Sequence, residues 1–386
     1  MKVLHLVSDF SNSSETFIYD LIVDMEELGV DNHVVTNRHI NKIERPFSKV
    51  ISFDIDSRNI FEKISKRGRR KIFNDYHVFE QRKLQKVVDD LQPDVLHSHF
   101  NYFFENIHDL IEKGFHGRVI ISTHGIDVVN NKLYGQPQYV EKVYKCQQHD
   151  NIFFTAPSHY LKKKLQDIFG ISSNKIIVLP NCVNISLADF EEKKIKVDSE
   201  ISIVNIGRFV GFKGQTYLID ALSMLHDNGY KQVSLKLIGF GPLENMLRHQ
   251  AANLGLESAV DFKIDLPREK IFEELSSSDI YIQSSVQDEE TGQEESFGIA
   301  VLEAISVGLP IVVTDSGGLP DTICEAPYEP MTQIIKAKNS RAIYQAVINI
   351  IESSHPPLKK EQVDDLLSNF STDTNRKKIL ELYRGV

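Results

Sequence analysis

The sequence predicts an α/β protein built from two parallel-sheet domains, and three observations carry that prediction. Short apolar runs alternate with segments of helical period along the chain, as in βα units that build parallel sheets. At 386 residues the chain exceeds what one hydrophobic core supports, since single cores stop growing near ~250–300 residues. The stretch from Phe190 to Glu200, Glu-Glu-Lys-Lys-Ile-Lys-Val-Asp-Ser at its heart, is charged and aperiodic and reads as the interdomain connection.

In order along the first half, the strand candidates are Val3 to Val7, His33 to Thr36, Val95 to His97, Val119 to Ser122, Phe153 to Ala156 and Ile176 to Leu179. A helix is expected over Glu15 to Leu28, where Phe17, Leu21, Met25 and Leu28 recur at helical spacing. The second half opens with a strand over Ile201 to Ile206 and continues with Leu235 to Ile238, Val260 to Ile264, Ile280 to Gln283 and Pro310 to Thr314. After Gly214, the positions Leu218, Ala221, Leu222 and Leu225 mark another helix. Val363, Leu366, Leu367, Phe370, Ile379, Leu380 and Leu382 mark one or two terminal helices that cross back onto the first domain. The expected limits are 1–190, 191–365 and a returning segment at 366–386.

A composition of 41% hydrophobic and 25% charged residues excludes disordered and fibrous classes. No apolar run reaches the ~18–20 residues of a membrane span, and Met1 to Phe10 turns polar too soon for a signal peptide, so a cytoplasmic protein is expected. Cys146, Cys182 and Cys324 are scattered singly, which argues against a disulfide framework or thiolate metal site. Lys+Arg and Asp+Glu balance at 24 each over residues 1–190, so the net charge of −10 belongs to the second half. The basic run Lys63, Lys66, Arg67, Arg69, Arg70 and Lys71 could meet an anionic lipid surface or a phosphorylated acceptor, while a solvated loop or helix face is the preferred account. No aromatic-interleaved basic motif points to nucleic acid.

Ligands of open parallel sheets bind beyond the carboxyl ends of strands, so the loops there hold the candidate chemistry. Gly207-Arg208 through Gly211-Phe212-Lys213-Gly214 sets two cations beside a helix N-terminus, a combination suited to a diphosphate. Gly239-Phe240-Gly241-Pro242 is accounted for by a tight turn with Pro in the first helical turn. Glu295 is expected in a loop and Glu303 in a helix; were that segment helical throughout, they would stand ~12 Å apart along its axis. Phe297 and Gly298 would then offer free backbone N–H groups to sugar hydroxyls or phosphate oxygens. His97 and His99 are read as pointing to opposite faces of a strand, with no third metal ligand identifiable. The carboxylates of the loop Asp288 to Glu294 invite a divalent-metal reading, which is set aside.

Glu295-x7-Glu303, Gly207-Arg208-x4-Lys213-Gly214, Gly239-x-Gly241-Pro242 and Asp315-Ser316-Gly317-Gly318-Leu319-Pro320-Asp321 stand in the order seen in glycosyltransferase family 4. In the first half, Ser14-Glu15-Thr16-Phe17, His97-Ser98-His99-Phe100, Thr123-His124-Gly125 and Pro180-Asn181 resemble members that build bacterial exopolysaccharides, including colanic-acid-type enzymes. The resemblance implies a GT-B fold, two Rossmann-like doubly wound parallel-sheet domains facing across a cleft, with donor on the second and acceptor on the first. It implies retaining hexosyl transfer from a UDP- or GDP-sugar to a glycan or lipid-linked saccharide in surface polysaccharide synthesis. Neither cofactor nor metal is implied.

Carried over residue by residue, the resemblance makes Arg208, Lys213, Glu295 and His124 catalytic. Gly207, Gly239, Lys263, Ile264, Ser296, Phe297, Gly298, Ile299 and Glu303 would complete the donor site, with Glu303 on the ribose and Lys263 and Ile264 near the base. Ser14, Glu15, Thr16 and His99 would meet the acceptor, and His124 would close over the donor sugar, although a structural histidine fits that position too. The sequence departs from the pattern at Asp9 to Glu15, where a glycine-rich loop is usual, at Cys182, at Lys263-Ile264, and after Asp321, where Pro327 and Pro330 stand without the familiar glycine turn. Two other readings remain: an epimerase or inverting enzyme of the same fold, separable by product analysis, and a non-catalytic nucleotide-sugar-binding subunit.

Overall fold

The structure is a computed structural model that describes residues 1–12, 15–53, 77–129, 137–182, 190–324, 327–353 and 356–385. Ser14 and the basic run Lys63 to Lys71 lie outside the described residues. The chain divides into two units, Met1–Pro180 with Asp373–Val386, and Asn181–Thr372.

The first unit holds a seven-stranded sheet in the order β3-β2-β1-β4-β5-β6-β7. Its strands are β1 (Lys2–Phe10), β2 (Asp31–His39), β3 (Val50–Ser52), β4 (Val95–His99), β5 (Arg118–Ser122), β6 (Ile152–Ala156) and β7 (Ile176–Val178), and every pairing is parallel. Parallel strands with helices on both faces are buried throughout, so β1 and β4 carry runs of buried residues instead of an alternating pattern. The edge strand β3 escaped the sequence reading because three residues are too few to show a period.

The second unit repeats the plan with six strands in the order β10-β9-β8-β11-β12-β13. These are β8 (Ile201–Ile206), β9 (Val233–Ile238), β10 (Val260–Lys263), β11 (Ile280–Gln283), β12 (Ile311–Thr314) and β13 (Thr332–Ile335), again all parallel. Both sheets thus have the doubly wound order in which the winding reverses between the central strands, β1 and β4 in one and β8 and β11 in the other. At such a reversal the loops leaving adjacent strands part in opposite directions and open a crevice.

The division falls at Pro180 and Asn181 and not at 190, with Cys182 Sγ donating to Ser371 O at 3.4 Å inside the second unit. Phe190 and Ile195 pack on that unit's core, the Lys193 ammonium donates to Ser276 O, and Gln232 Nε2 donates to Val197 O at 2.7 Å. The helix Lys360–Ser368 belongs to the second unit as well. Only the last helix, Thr372–Arg384, returns: Ile379 and Tyr383 join Val3, Met25, Val95 and Ile120 in a small core, and Arg376 pairs with Asp24. Among the described residues no helix is long and apolar enough to cross a membrane.

Candidate active site

At the reversal in the second sheet, β8 runs into Gly207-Arg208, a turn of 3-10 helix over Gly211–Lys213, and the helix Gln215–Asp227. Gly207 makes room for the Lys213 stem, since a Cβ there would stand 3.2 Å from Lys213 Cδ. Arg208 and Lys213 share one ring: the Phe212 centroid lies 6.0 Å from the Arg208 guanidinium and 5.4 Å from the Lys213 ammonium. Gly239 and Gly241 back this turn. A Cβ on Gly239 (φ +145°) would fall 2.1 Å from Gly207 O, so the Gly-x-Gly-Pro segment serves close backbone packing. Lys263 pairs with Asp261 at 3.0 Å and Glu274 at 3.4 Å, and Ile264 beside it is exposed.

Across the reversal, β11 leads into the loop that carries Glu295. The Lys213 ammonium pairs with Glu295 Oε2, and both side chains are largely buried, 15% and 13% exposed. The same oxygen accepts from Ser285 Oγ at 3.2 Å. Behind Ser285 stands a line of donors on one face of β11: Tyr281 OH donates to Gln283 Oε1 at 2.6 Å, and Gln283 Nε2 donates to Ser285 Oγ at 3.0 Å. Every proton in this line is directed towards Glu295, and the last of them holds Oε2 in place. Its Oε1 has no hydrogen-bond partner among the described residues.

The Glu295 backbone is held as firmly as its side chain. Gly318 N–H donates to Glu295 O at 2.8 Å, and Gly317 (φ +59°) allows the approach, because a Cβ there would stand 2.0 Å from that oxygen. The segment between the two glutamates is helical only from Ile299, Gly298 (φ 110°) being the N-cap of Ile299–Ser306. Ser296, Phe297 and Gly298 therefore form a bent, non-helical lead into the helix, and Gly298 O accepts from Val301 N–H at 3.0 Å, so that the N–H groups of Ile299 and Ala300 stand ahead of the helical ladder. The Phe297 ring packs inward, edge-on to Phe370 at 5.5 Å. Glu303, in that helix, faces Arg268 at 3.7 Å; burial raises its carboxyl, with Arg268 opposing. Burial lifts the Tyr281 hydroxyl well above its ordinary range, and the charges of Glu303 and Glu295 push the same way, so both carboxylates bear on one buried hydroxyl.

In the acidic loop, Asp288 Oδ1 folds its own turn, accepting from Thr291 N at 2.8 Å and Thr291 Oγ1 at 2.7 Å, while Glu289 pairs with Lys338 at 2.7 Å.

In the first unit, His124 follows β5. Its ring lies 4.7 Å from Phe17 and 4.8 Å from Phe100, and burial lowers its pKa to about 3. Both ring nitrogens are buried without a partner among the described residues. Asp127 holds this loop: Oδ1 accepts from His124 N and Gly125 N at 3.0 Å each, and Oδ2 from Asn101 N at 2.7 Å. Burial raises Asp127 to about 6 despite those donors.

Glu15 is the N-cap of the helix Thr16–Glu27, and Thr16 its first residue. Burial, then Asp9 and Asp127, raise the Glu15 carboxyl from 4.5 to about 7. The folded chain binds the extra proton between those values, so Glu15 costs nothing below pH 4.5, and its full cost is reached above pH 7. Glu15→Gln should therefore match the parent near pH 4.5 and exceed it by up to ~3 kcal/mol at pH 8. Urea unfolding at the two pH values checks this, and equal stability at pH 8 would contradict it.

The reading of His97 and His99 on opposite faces is corrected. Strand side chains repeat every two residues, so positions i and i+2 share a face, and these two rings stack with centroids 4.3 Å apart. The third histidine that the sequence did not identify is His5, register partner of His97 on β1. Asn32 donates through Nδ2 to Ile22 O and Val30 O, so its Oδ1 accepts from His5 Nε2 at 3.0 Å. His5 Nδ1 is then the acceptor, and His99 Nε2 the donor, across 3.1 Å. His97 uses both nitrogens, on Tyr383 OH at 2.6 Å and Ser122 Oγ at 2.8 Å. Burial lowers all three imidazoles, which form a neutral buried network behind the His124 loop.

The sequence reading missed Tyr281, Gln283, Ser285, Asp127 and His5. Polar residues two apart in the apolar run from Ile280 to Val286 were the available signal for the first three. Asp127 had a local one, a carboxylate two residues past the turn glycine Gly125.

Residues 14–187 match the family model described as Glycosyltransferase Family 4, and residues 188–364 match that described as Glycosyl transferases group 1. The amylovoran biosynthesis glycosyltransferase AmsK of Erwinia amylovora is 23% identical over 362 residues, covering 84% of each chain. A GDP-mannose-dependent alpha-(1-6)-phosphatidylinositol monomannoside mannosyltransferase of Mycolicibacterium smegmatis is 25% identical over 214 residues, 54% of this chain and 55% of that one. Among solved structures, Anabaena HepE in complex with UDP superposes with a TM-score of 0.75 over all of both chains at 16% identity, a likeness of fold. With two doubly wound sheets and two adjoining family matches spanning residues 14–364, this chain belongs to the family 4 glycosyltransferases of the GT-B fold.

Proposed function

We propose that the protein is a retaining, metal-independent hexosyltransferase that takes sugar from a UDP- or GDP-sugar and passes it to a glycan or lipid-linked saccharide. The observation that carries this reading is the convergence of Lys213, Glu295 and Ser285 at the reversal of the second sheet, with Arg208 on the same Phe212 ring as Lys213. In the proposed reaction the bond from the anomeric carbon to the diphosphate oxygen breaks, and Arg208 and Lys213 stabilise the departing charge. The acceptor oxygen bonds to the same face and its proton passes to the leaving phosphate. Glu295 Oε1 orients the sugar hydroxyls, Glu303 the ribose, and the first amides of Ile299–Ser306 the phosphate. Gly207, Gly239 and Ile264 line the donor site, while Glu15, Thr16, His99 and a neutral His124 serve the acceptor and the transferred sugar. HepE binds UDP and the mycobacterial relative depends on GDP-mannose, which supports both bases as candidates. The protein would act in surface polysaccharide synthesis on the cytoplasmic side of the membrane, with the basic run as a peripheral contact.

A panel of UDP-, GDP- and ADP-sugars, tested for binding and then for turnover with saccharide and lipid-linked acceptors in EDTA, tests the reading. Expected is one preferred base, turnover unaffected by EDTA, and a product of unchanged anomeric configuration. Inversion of the anomer or isomerisation of the donor without acceptor would replace it by a different reaction of the fold. Binding without any turnover would favour a nucleotide-sugar-binding subunit.

A further inference from the structure

Away from the reversal of its sheet, the first unit carries a second group of side chains whose chemistry the transferase reading does not use. His108 and Glu112 stand four residues apart on the helix Phe104–Glu112 and so share one of its faces. His149 comes from the turn between the helix Pro137–Cys146 and β6. His149 Nε2 lies 3.3 Å from His108 Nδ1 and 3.8 Å from Glu112 Oε1, and ligand atoms of all three lie within 4.8 Å of one another. Around a tetrahedral ion with ~2.0–2.1 Å bonds, neighbouring ligand atoms stand ~3.3–3.4 Å apart, so the three are close to a coordination shell already.

The arrangement is prepared by contacts independent of the rings. The Lys175 ammonium donates to Gln147 O and His149 O at 2.7 Å each, and His149 N–H donates to Cys146 O at 3.3 Å, which fixes the turn. The supporting helices are locked by Phe104 against Tyr139, edge to face at 4.8 Å. Glu112 ends its helix, where the carbonyl end of the dipole favours a cation. Glu112 is 61% exposed and His149 26%, so an ion can enter from solvent.

We propose that His108, Glu112 and His149 form a binding site for a divalent transition metal of borderline softness, of which Zn2+ is the type, with a fourth position open to water. Two imidazoles and one carboxylate suit such an ion and not Mg2+ or Ca2+, which prefer all-oxygen shells. His149 precedes β6 and Glu112 closes the helix after β4, which places the site towards the amino ends of the strands. The ion would clasp the turn to the helix and take no part in sugar transfer.

The test uses the full chain without an affinity tag, stripped with a chelator and titrated with Zn2+ by calorimetry and with Co2+ by absorption. Expected are one equivalent bound, a tetrahedral or five-coordinate Co2+ spectrum, and a higher unfolding temperature with Zn2+. His108→Ala and His149→Ala should each weaken binding by ~10-fold or more and abolish the thermal shift, with metal-free unfolding near that of the parent. Should an alanine variant fail to fold, His149→Gln is the replacement. Absence of one-to-one binding, or zinc bound equally well after loss of both rings, would overturn the proposal.

Discussion

Lys213→Met is expected to lower transferase turnover by ~10²–10³-fold, the cost of removing one preorganised donor from a developing negative charge. The same change leaves the largely buried Glu295 without its cation, which should destabilise the second unit by ~3 kcal/mol. The two effects are separable. Lys213→Met with Glu295→Gln removes both charges, so stability should return towards the parent in urea while turnover stays lost. Turnover near the parent's in the single variant would remove Lys213 from the leaving group. Under the proposed function a bound diphosphate would compete with Glu295 for Lys213, and Ser285, at the end of the Tyr281 line, would still hold the carboxylate once the ammonium turned to phosphate.

Asp127→Asn is expected to destabilise the first unit by ~2–4 kcal/mol. Its two oxygens accept from three backbone N–H groups, and an amide has one acceptor to offer and would turn an NH₂ towards the others. The loop from Thr123 to Asp127 would then lose the anchor that sets His124 against Phe17 and Phe100, and turnover should fall with stability. A lowered urea midpoint together with impaired transfer checks both parts, while an unchanged midpoint would show that the loop is held by other contacts.

Much of this was legible along the chain. The alternation that predicts two parallel sheets recurs in β1, β2, β4 to β7 and β8 to β12, and the turn after β8 stands where the Gly207 to Gly214 spacing indicated. Two strands were missed for different reasons: β3 is three residues long, and β13 follows a segment with proline at 327 and 330 where no alternation announces it. The histidines show a misapplied period. The spacing of His97 and His99 already implied a shared face, but that His5 completes the group follows only from pairing β1 with β4.

Local patterning determined the strands, the helices and the loops that face the reversals, because period and turn chemistry act over windows of about ten residues. Tertiary structure alone decided the partners. Lys213 meets Glu295 across 82 positions and His97 meets Tyr383 across 286, and nothing in the chain between them specifies those meetings. A long side chain takes the partner that sheet order and packing bring within reach, and that choice settled which carboxylate is held, by which donors, and with which oxygen left free.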